Sequence, residues 1–109
     1  MRTLDLFSGV GGITYALRGG IADTVHFCEI DTFARTVLEA NMRRGKLPSK
    51  ATVSNDVRTL HGKDLKQIDM IVGGFPCVGM SIIGQKEGFK NKETGLFSEI
   101  VRLIQSREM

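Results

Sequence analysis

Cys77 closes the run Gly73-Gly74-Phe75-Pro76-Cys77, directly after the apolar triplet Met70-Ile71-Val72. A thiol at a strand end, behind a stiff proline and two glycines that leave room for a ligand, is a candidate nucleophile. Free cysteine titrates near pH ~8.5, so only a few per cent is thiolate at neutral pH. Attack therefore needs a lowered pKa or proton removal on substrate binding. Cys28 falls inside an apolar strand pattern and reads as a small core hydrophobe.

A second constellation lies near the N-terminus, in Asp5-Leu6-Phe7-Ser8-Gly9-Val10-Gly11-Gly12-Ile13. Glycines there permit a sharp strand-to-helix turn and let backbone amides approach a ligand. Glu29 follows Gly9 by 20 residues, at the end of the next apolar run. A carboxylate in that place can accept both hydroxyls of a ribose. The spacing is Gly-x-Gly-Gly and not Gly-x-Gly-x-x-Gly, which separates it from the dinucleotide fingerprint. The competing structural reading is a tight turn followed by an ordinary surface acid. Asp56 could accept from an adenine amino group, with Ile30 and Val57 on the faces of the ring; it could equally cap a helix or a turn.

These residues need elements to carry them. Thr3 to Phe7 reads as a buried strand stopped by Ser8-Gly9. A short helix is expected from Gly11 to Arg18, ended by Gly19-Gly20. Thr24 to Cys28 forms a second strand. Asp31 suits the N-cap of a helix from Thr32 to Met42, with Phe33, Val37 and Ala40 on one face. Arg43 to Ala51 is a basic connection, read as a solvated linker. A third strand holds Val53 and ends near Asp56, and Met70 to Val72 is the fourth. Val78 to Thr94 lacks sustained periodicity. A last helix resumes from Leu96, with Ile100, Leu103 and Ile104 sharing a face. The order β-α-β-α-β-β-α with short strands predicts a mostly parallel α/β sheet. Four strands leave an apolar edge open, so the expected whole is a larger domain completed by missing sequence, a partner chain or a second copy.

Composition agrees with one small domain. The chain has 109 residues, 41% hydrophobic and 25% charged, and a chain of that size buries roughly 65% of its unfolded surface. No apolar run is long enough to span a bilayer, and Asp5 interrupts any signal-peptide core. Two cysteines and two histidines (His26 and His61) without paired spacing give neither a disulfide framework nor a metal site. The expected compartment is intracellular, whether a prokaryotic cytoplasm, a virus-infected cell or a nucleus. The net charge of +3 is compatible with a nucleic-acid partner and too small to establish one.

Five segments in register carry a family resemblance: Asp5-Leu6-Phe7-Ser8-Gly9-Val10-Gly11-Gly12, Glu29 within Cys28-Glu29-Ile30-Asp31, Asp56 within Asn55-Asp56-Val57, Gly73-Gly74-Phe75-Pro76-Cys77, and Gly88-Phe89-Lys90-Asn91 followed by Thr94 to Ile100. The chain resembles the N-terminal, cofactor-binding and nucleophile-bearing portion of the cytosine-C5 DNA methyltransferases, over essentially its whole length. The resemblance implies a Rossmann-like methyltransferase fold, cut after about four strands. It implies S-adenosylmethionine over the strand ends, against Phe7, Gly9, Val10, Gly11 and Gly12, with Glu29 on the ribose. Ile30, Asp56 and Val57 would surround the adenine, and Pro76 and Leu96 would line the same pocket. It implies Cys77 as the nucleophile on a cytosine flipped out of double-stranded DNA. Ser81, Lys86 and Lys90 would be DNA contacts in a closing loop.

The chain departs from the family in places. Val78 stands where the family has Gln after Pro-Cys, and Gln85 replaces a basic residue. The Glu-Asn-Val acid, the Arg-rich segment, the target-recognition region and the returning helix are absent. Two functions therefore stay open: the working methyltransferase, or a fragment or split subunit that binds cofactor, DNA or a partner. A dinucleotide oxidoreductase gives no role to Pro76-Cys77.

Overall fold

The computed structural model describes residues 1–65, 67–74 and 92–107, with side chains in the last stretch from 98 to 106. Its elements are β1 (Arg2–Leu6), α1 (Gly12–Ala16), β2 (Asp23–Cys28), α2 (Thr32–Arg43), β3 (Thr52–Ser54), β4 (Met70–Gly73) and α3 (Lys92–Arg107), with 3-10 turns at Val57–Thr59 and Gly62–Leu65. The described chain divides into two compact units.

The first unit holds the whole sheet, Met1–Val57 with Gln67–Gly74. All strand pairs are parallel, in the order β3-β2-β1-β4. The chain winds outward through α1 and α2 to β3, then returns to the other side of β1 as β4. That reversal is a doubly wound switch point, where open α/β sheets bind ligands at the carboxyl ends of their strands. Register makes the ends level: Leu6 pairs with Cys28 and with Gly73, and Cys28 pairs with Ser54. The turns after β1, β2 and β3, and the residue after β4, thus leave the sheet along one edge.

The core forms where alternate strand residues meet α2. Phe27, Leu38, Met42 and Leu47 pack together, with Ala51 and Val53 against them. Asp31 caps α2 as expected, its Oδ2 accepting the Ala34 N–H at 2.7 Å. The buried side chains of α2 are Leu38 and Met42, not the expected Phe33 face; Phe33 is 77% exposed. The Asp31 cap, and Arg35 tied back to the Glu29 and Ile30 carbonyls, set the helix rotation from its first turn. β1 ends one residue early because Phe7 turns to φ +52°. α1 is a turn and a half, stopping at Ala16.

His26 sits on β2 beside the outer strand β3. Its Nδ1 meets the Thr52 hydroxyl and its Nε2 lies 2.7 Å from the Ser54 hydroxyl, so its role is to fasten β3 to β2. The second unit comprises Arg58–Lys66 and Phe75–Met109. Within it, α3 packs on the turn at Gly62–Leu65. A Cβ on Gly62 would come within 2.5 Å of the Ser106 backbone, so glycine is needed for the close approach. Leu60, Leu65 and Leu103 are buried there, whereas Ile104, expected on the same face as Leu103, is half exposed. α3 begins four residues before Leu96, at Lys92. Among the described residues no helix is long and apolar enough to cross a membrane.

Candidate functional site

The turn between β1 and α1 is built from left-handed backbone. Phe7, Gly9 and Gly11 have φ of +52°, +56° and +96°. A phenylalanine there is uncommon and costs about 1 kcal/mol or more, and such strain concentrates at functional sites. Ser8 holds the turn from below: its N–H donates to the Cys28 carbonyl at 3.1 Å and its hydroxyl to the Asp5 carbonyl at 2.6 Å. Gly11 serves two needs, because an added Cβ would lie 2.4 Å from Leu47 Cδ1. Gly12 opens α1, and Asn41 reaches from α2 to the Val10 carbonyl at 3.3 Å.

Glu29 meets this turn directly. Its Oε1 accepts the Gly9 N–H at 2.7 Å, and its Oε2 accepts the Asp31 N–H at 2.8 Å. Ile30, next to it, is 57% exposed, while Val57 is buried. Asp56 follows β3, and its charge, like that of Glu29, acts on Cys28. Glu29 and Asp56 thus bring two carboxylates near Cys28 at the end of β2. Asp5 is fully buried, and burial, with the Glu29 charge adding, raises its pKa against hydrogen bonds from Thr14 and Ser8.

Val10, Gly11 and Gly12 also line a cavity of about 240 Å³ with Tyr15, Asn41, Lys46 and Leu47. Glu29 and Ile30 are not among its walls.

The glycine pair after β4 has a structural reason that the sequence did not disclose. A Cβ on Gly73 would lie 3.1 Å from the Leu6 carbonyl oxygen, and one on Gly74 3.2 Å from that of Phe7. Gly74 N–H donates to Leu6 at 3.2 Å. The glycines let β4 close on β1 and on the strained Phe7. Cys28 is buried, and its pKa is pushed up to about 12, first by burial and then by Asp56 and Glu29. It is a core thiol. Pro76, Cys77, Val78, Ser81, Gln85, Lys86 and Lys90 lie outside the described residues; Leu96 lies in α3, its side chain outside them. Sequence reasoning missed Asp31 as a partner of Glu29 and missed Arg35. Arg35 donates from its guanidinium to the Glu29 and Ile30 carbonyls at 2.9 and 3.3 Å. An arginine one turn into the helix that follows the Glu29-Ile30 pair was the available signal. Among the described residues no three His, Cys, Asp or Glu side chains gather as a metal-ligand set.

A parallel doubly wound sheet, with a glycine turn facing a carboxylate across the first two strand ends, defines a Rossmann-like α/β fold. The model of the C-5 cytosine-specific DNA methylases matches residues 1–108. The chain belongs to that family. It is 44% identical over 105 residues to the type II methyltransferase M.CviJI of Paramecium bursaria Chlorella virus IL3A, covering 95% of this chain and 27% of that protein. It is 33% identical to M2.BsuMI of Bacillus subtilis (strain 168), covering 99% and 26%, and 32% identical to M.HhaI of Haemophilus parahaemolyticus, covering 99% and 31%. The chain thus spans between about a quarter and a third of the length of these relatives.

Proposed function

We propose that this chain is the cofactor-holding and nucleophile-bearing part of a DNA (cytosine-5-)-methyltransferase. The observation that carries the reading is Glu29 held against the glycine turn at the level strand ends. The chemistry of the Glu29 acceptors fits the ribose of S-adenosylmethionine. Each Glu29 oxygen accepts one N–H and keeps a second lone pair for a ribose hydroxyl. The exposed Ile30 offers an apolar face for the adenine, and Asp56 an acceptor for its amino group. Phe7 and the backbone of Gly9 to Gly12 would take the methionine end, with Pro76 and Leu96 completing the pocket. Bound there, the cofactor supplies an electrophilic methyl group.

Cys77 has the covalent role. Cytosine C5 is a poor nucleophile in the aromatic ring. Addition of the Cys77 thiolate to C6 breaks the C5–C6 double bond and moves its electrons toward C5, which is then able to accept a methyl group. Loss of the C5 proton returns its electron pair to the ring and expels the thiolate. One difficult step becomes two easier ones. The base must leave the duplex for the thiol to reach C6. Ser81, Lys86 and Lys90 are proposed to contact phosphates of the double-stranded DNA.

A second reading is favoured by the 27% share of its viral relative that the chain covers. Here the chain binds cofactor, and methyl transfer belongs to an assembly with the remaining portion, a complementing subunit or a second copy paired along an outer strand. Calorimetry with S-adenosylmethionine tests the part common to both: saturable binding is expected, and Glu29→Ala should weaken it. A chain that folds and shows no binding overturns the proposal. Methyl transfer from labelled cofactor to duplex DNA separates the readings. Transfer by the 109-residue chain alone supports the first, and transfer only after the remaining portion is supplied supports the second.

A further inference from the structure

The Glu29 carboxylate has two backbone partners from two different turns. Oε1 takes Gly9 N–H from the β1–α1 turn, and Oε2 takes Asp31 N–H from the β2–α2 turn. Phe7 and Gly9 in the first turn are left-handed, and Asp31 in the second is the extended N-cap of α2. The carboxylate is itself held. Glu29 N–H donates to the Ser54 carbonyl at 3.0 Å, and Arg35 holds the Glu29 and Ile30 carbonyls. Asp31 passes the constraint on by capping Ala34.

We propose that Glu29 is a positioning residue as well as a ligand: one carboxylate clamps the Gly9 turn to the Asp31 turn, so that the cofactor bed is shaped before the cofactor arrives. The chemistry requires a carboxylate. Two oxygens, each an acceptor only, can receive two N–H groups from opposite sides, and each retains a lone pair. An amide of the same shape cannot, because its NH2 must face either Gly9 N–H or Asp31 N–H, donor against donor. Ligand binding then adds hydrogen bonds to an ordered carboxylate and does not have to order it, which lowers the entropic cost of association.

The clamp rests on the proposed function only for the identity of the ligand, and its test needs none. In the unaltered, ligand-free 109-residue chain, long-range NMR should detect couplings across hydrogen bonds from the Gly9 and Asp31 amide nitrogens to the Glu29 carboxylate carbon. Absence of both couplings in the folded chain overturns the proposal, whether or not Glu29→Gln folds. In Glu29→Gln, amide exchange should rise at least ~10-fold at one of Gly9 and Asp31, the size of one charge-assisted hydrogen bond, while the Leu4 and Phe27 amides stay protected. Unchanged exchange at both Gly9 and Asp31 in that variant also overturns it. If couplings are present but S-adenosylmethionine fails to bind, the clamp stands and the cofactor reading falls.

Discussion

The Thr14 hydroxyl lies 2.6 Å from Asp5 Oδ2 and joins α1 to β1 inside the protein. The same hydroxyl lies 2.9 Å from that of Thr24 on β2, so three elements meet in one buried polar cluster. The other carboxylate oxygen of Asp5 is buried without a partner among the described residues. Thr14→Val keeps the shape and removes one buried donor to the Asp5 carboxylate. Stability should fall by about 1–3 kcal/mol, read as a lower urea midpoint with an unchanged slope. A midpoint equal to that of the unaltered chain would show that the contact contributes nothing.

Asp5 also makes a pH prediction. Burial raises its pKa above the ordinary 3.8, so the folded chain holds the Asp5 proton more tightly than the unfolded chain does. Its stabilising contribution is therefore complete below 3.8 and is lost as pH rises through the folded value. Asp5→Asn, which cannot ionise, should be more stable than the unaltered chain at neutral pH, with the gap closing as pH falls towards 3.8. Thermal melts at several pH values check this; a gap that widens in acid would contradict it.

The glycines of the first turn should not be equivalent. Gly11→Ala meets left-handed backbone, worth roughly 1–2 kcal/mol, and a clash with Leu47 worth roughly 1–3 more. Gly9→Ala meets only the first cost, since nothing lies within 4 Å of its Cβ. Denaturant unfolding of the two variants should rank Gly11→Ala below Gly9→Ala. Equal losses would mean that Leu47 moves aside freely.

The strands, the α2 cap and the glycine turn were legible because each depends on local signals: short apolar runs, an Asp before a helix, glycines between a strand and a helix. The Asp5–Thr14 pair was not, because neither spacing nor polarity announces that Thr14 points into the sheet. The buried face of α2 was misread for a related reason. Phe33, Val37 and Ala40 share one stripe and Ala34, Leu38 and Met42 another, and periodicity cannot rank two apolar stripes on the same helix. Arg35 and the Asp31 cap choose between them, and Phe27 fills the space on the chosen side. The 3-10 turns escaped because three- and four-residue elements carry no period. The nearness of Glu29 to the Gly9 turn was legible from its distance to Gly9 along the chain. Its grip on Asp31 required coordinates.

Cys28 is a free thiol buried in the core. Its pKa is raised from 9.0 to about 12 because it is buried and because Asp56 and Glu29 place negative charge nearby. It should therefore stay unmodified by iodoacetamide at neutral pH in the folded chain and react only on unfolding. The same shift fixes an alkaline signature. The folded chain keeps the Cys28 proton where the unfolded chain loses it, so the contribution of this thiol is full below 9.0 and declines as pH rises towards 12. Relative to Cys28→Ala, which has no such proton, the unaltered chain should lose about 1.4 kcal/mol per pH unit across that window. Unfolding curves for both proteins between pH 8 and 11 measure the difference directly. A constant difference would mean that Cys28 ionises as easily folded as unfolded, and rapid labelling of Cys28 at neutral pH would mean that it is not a core thiol.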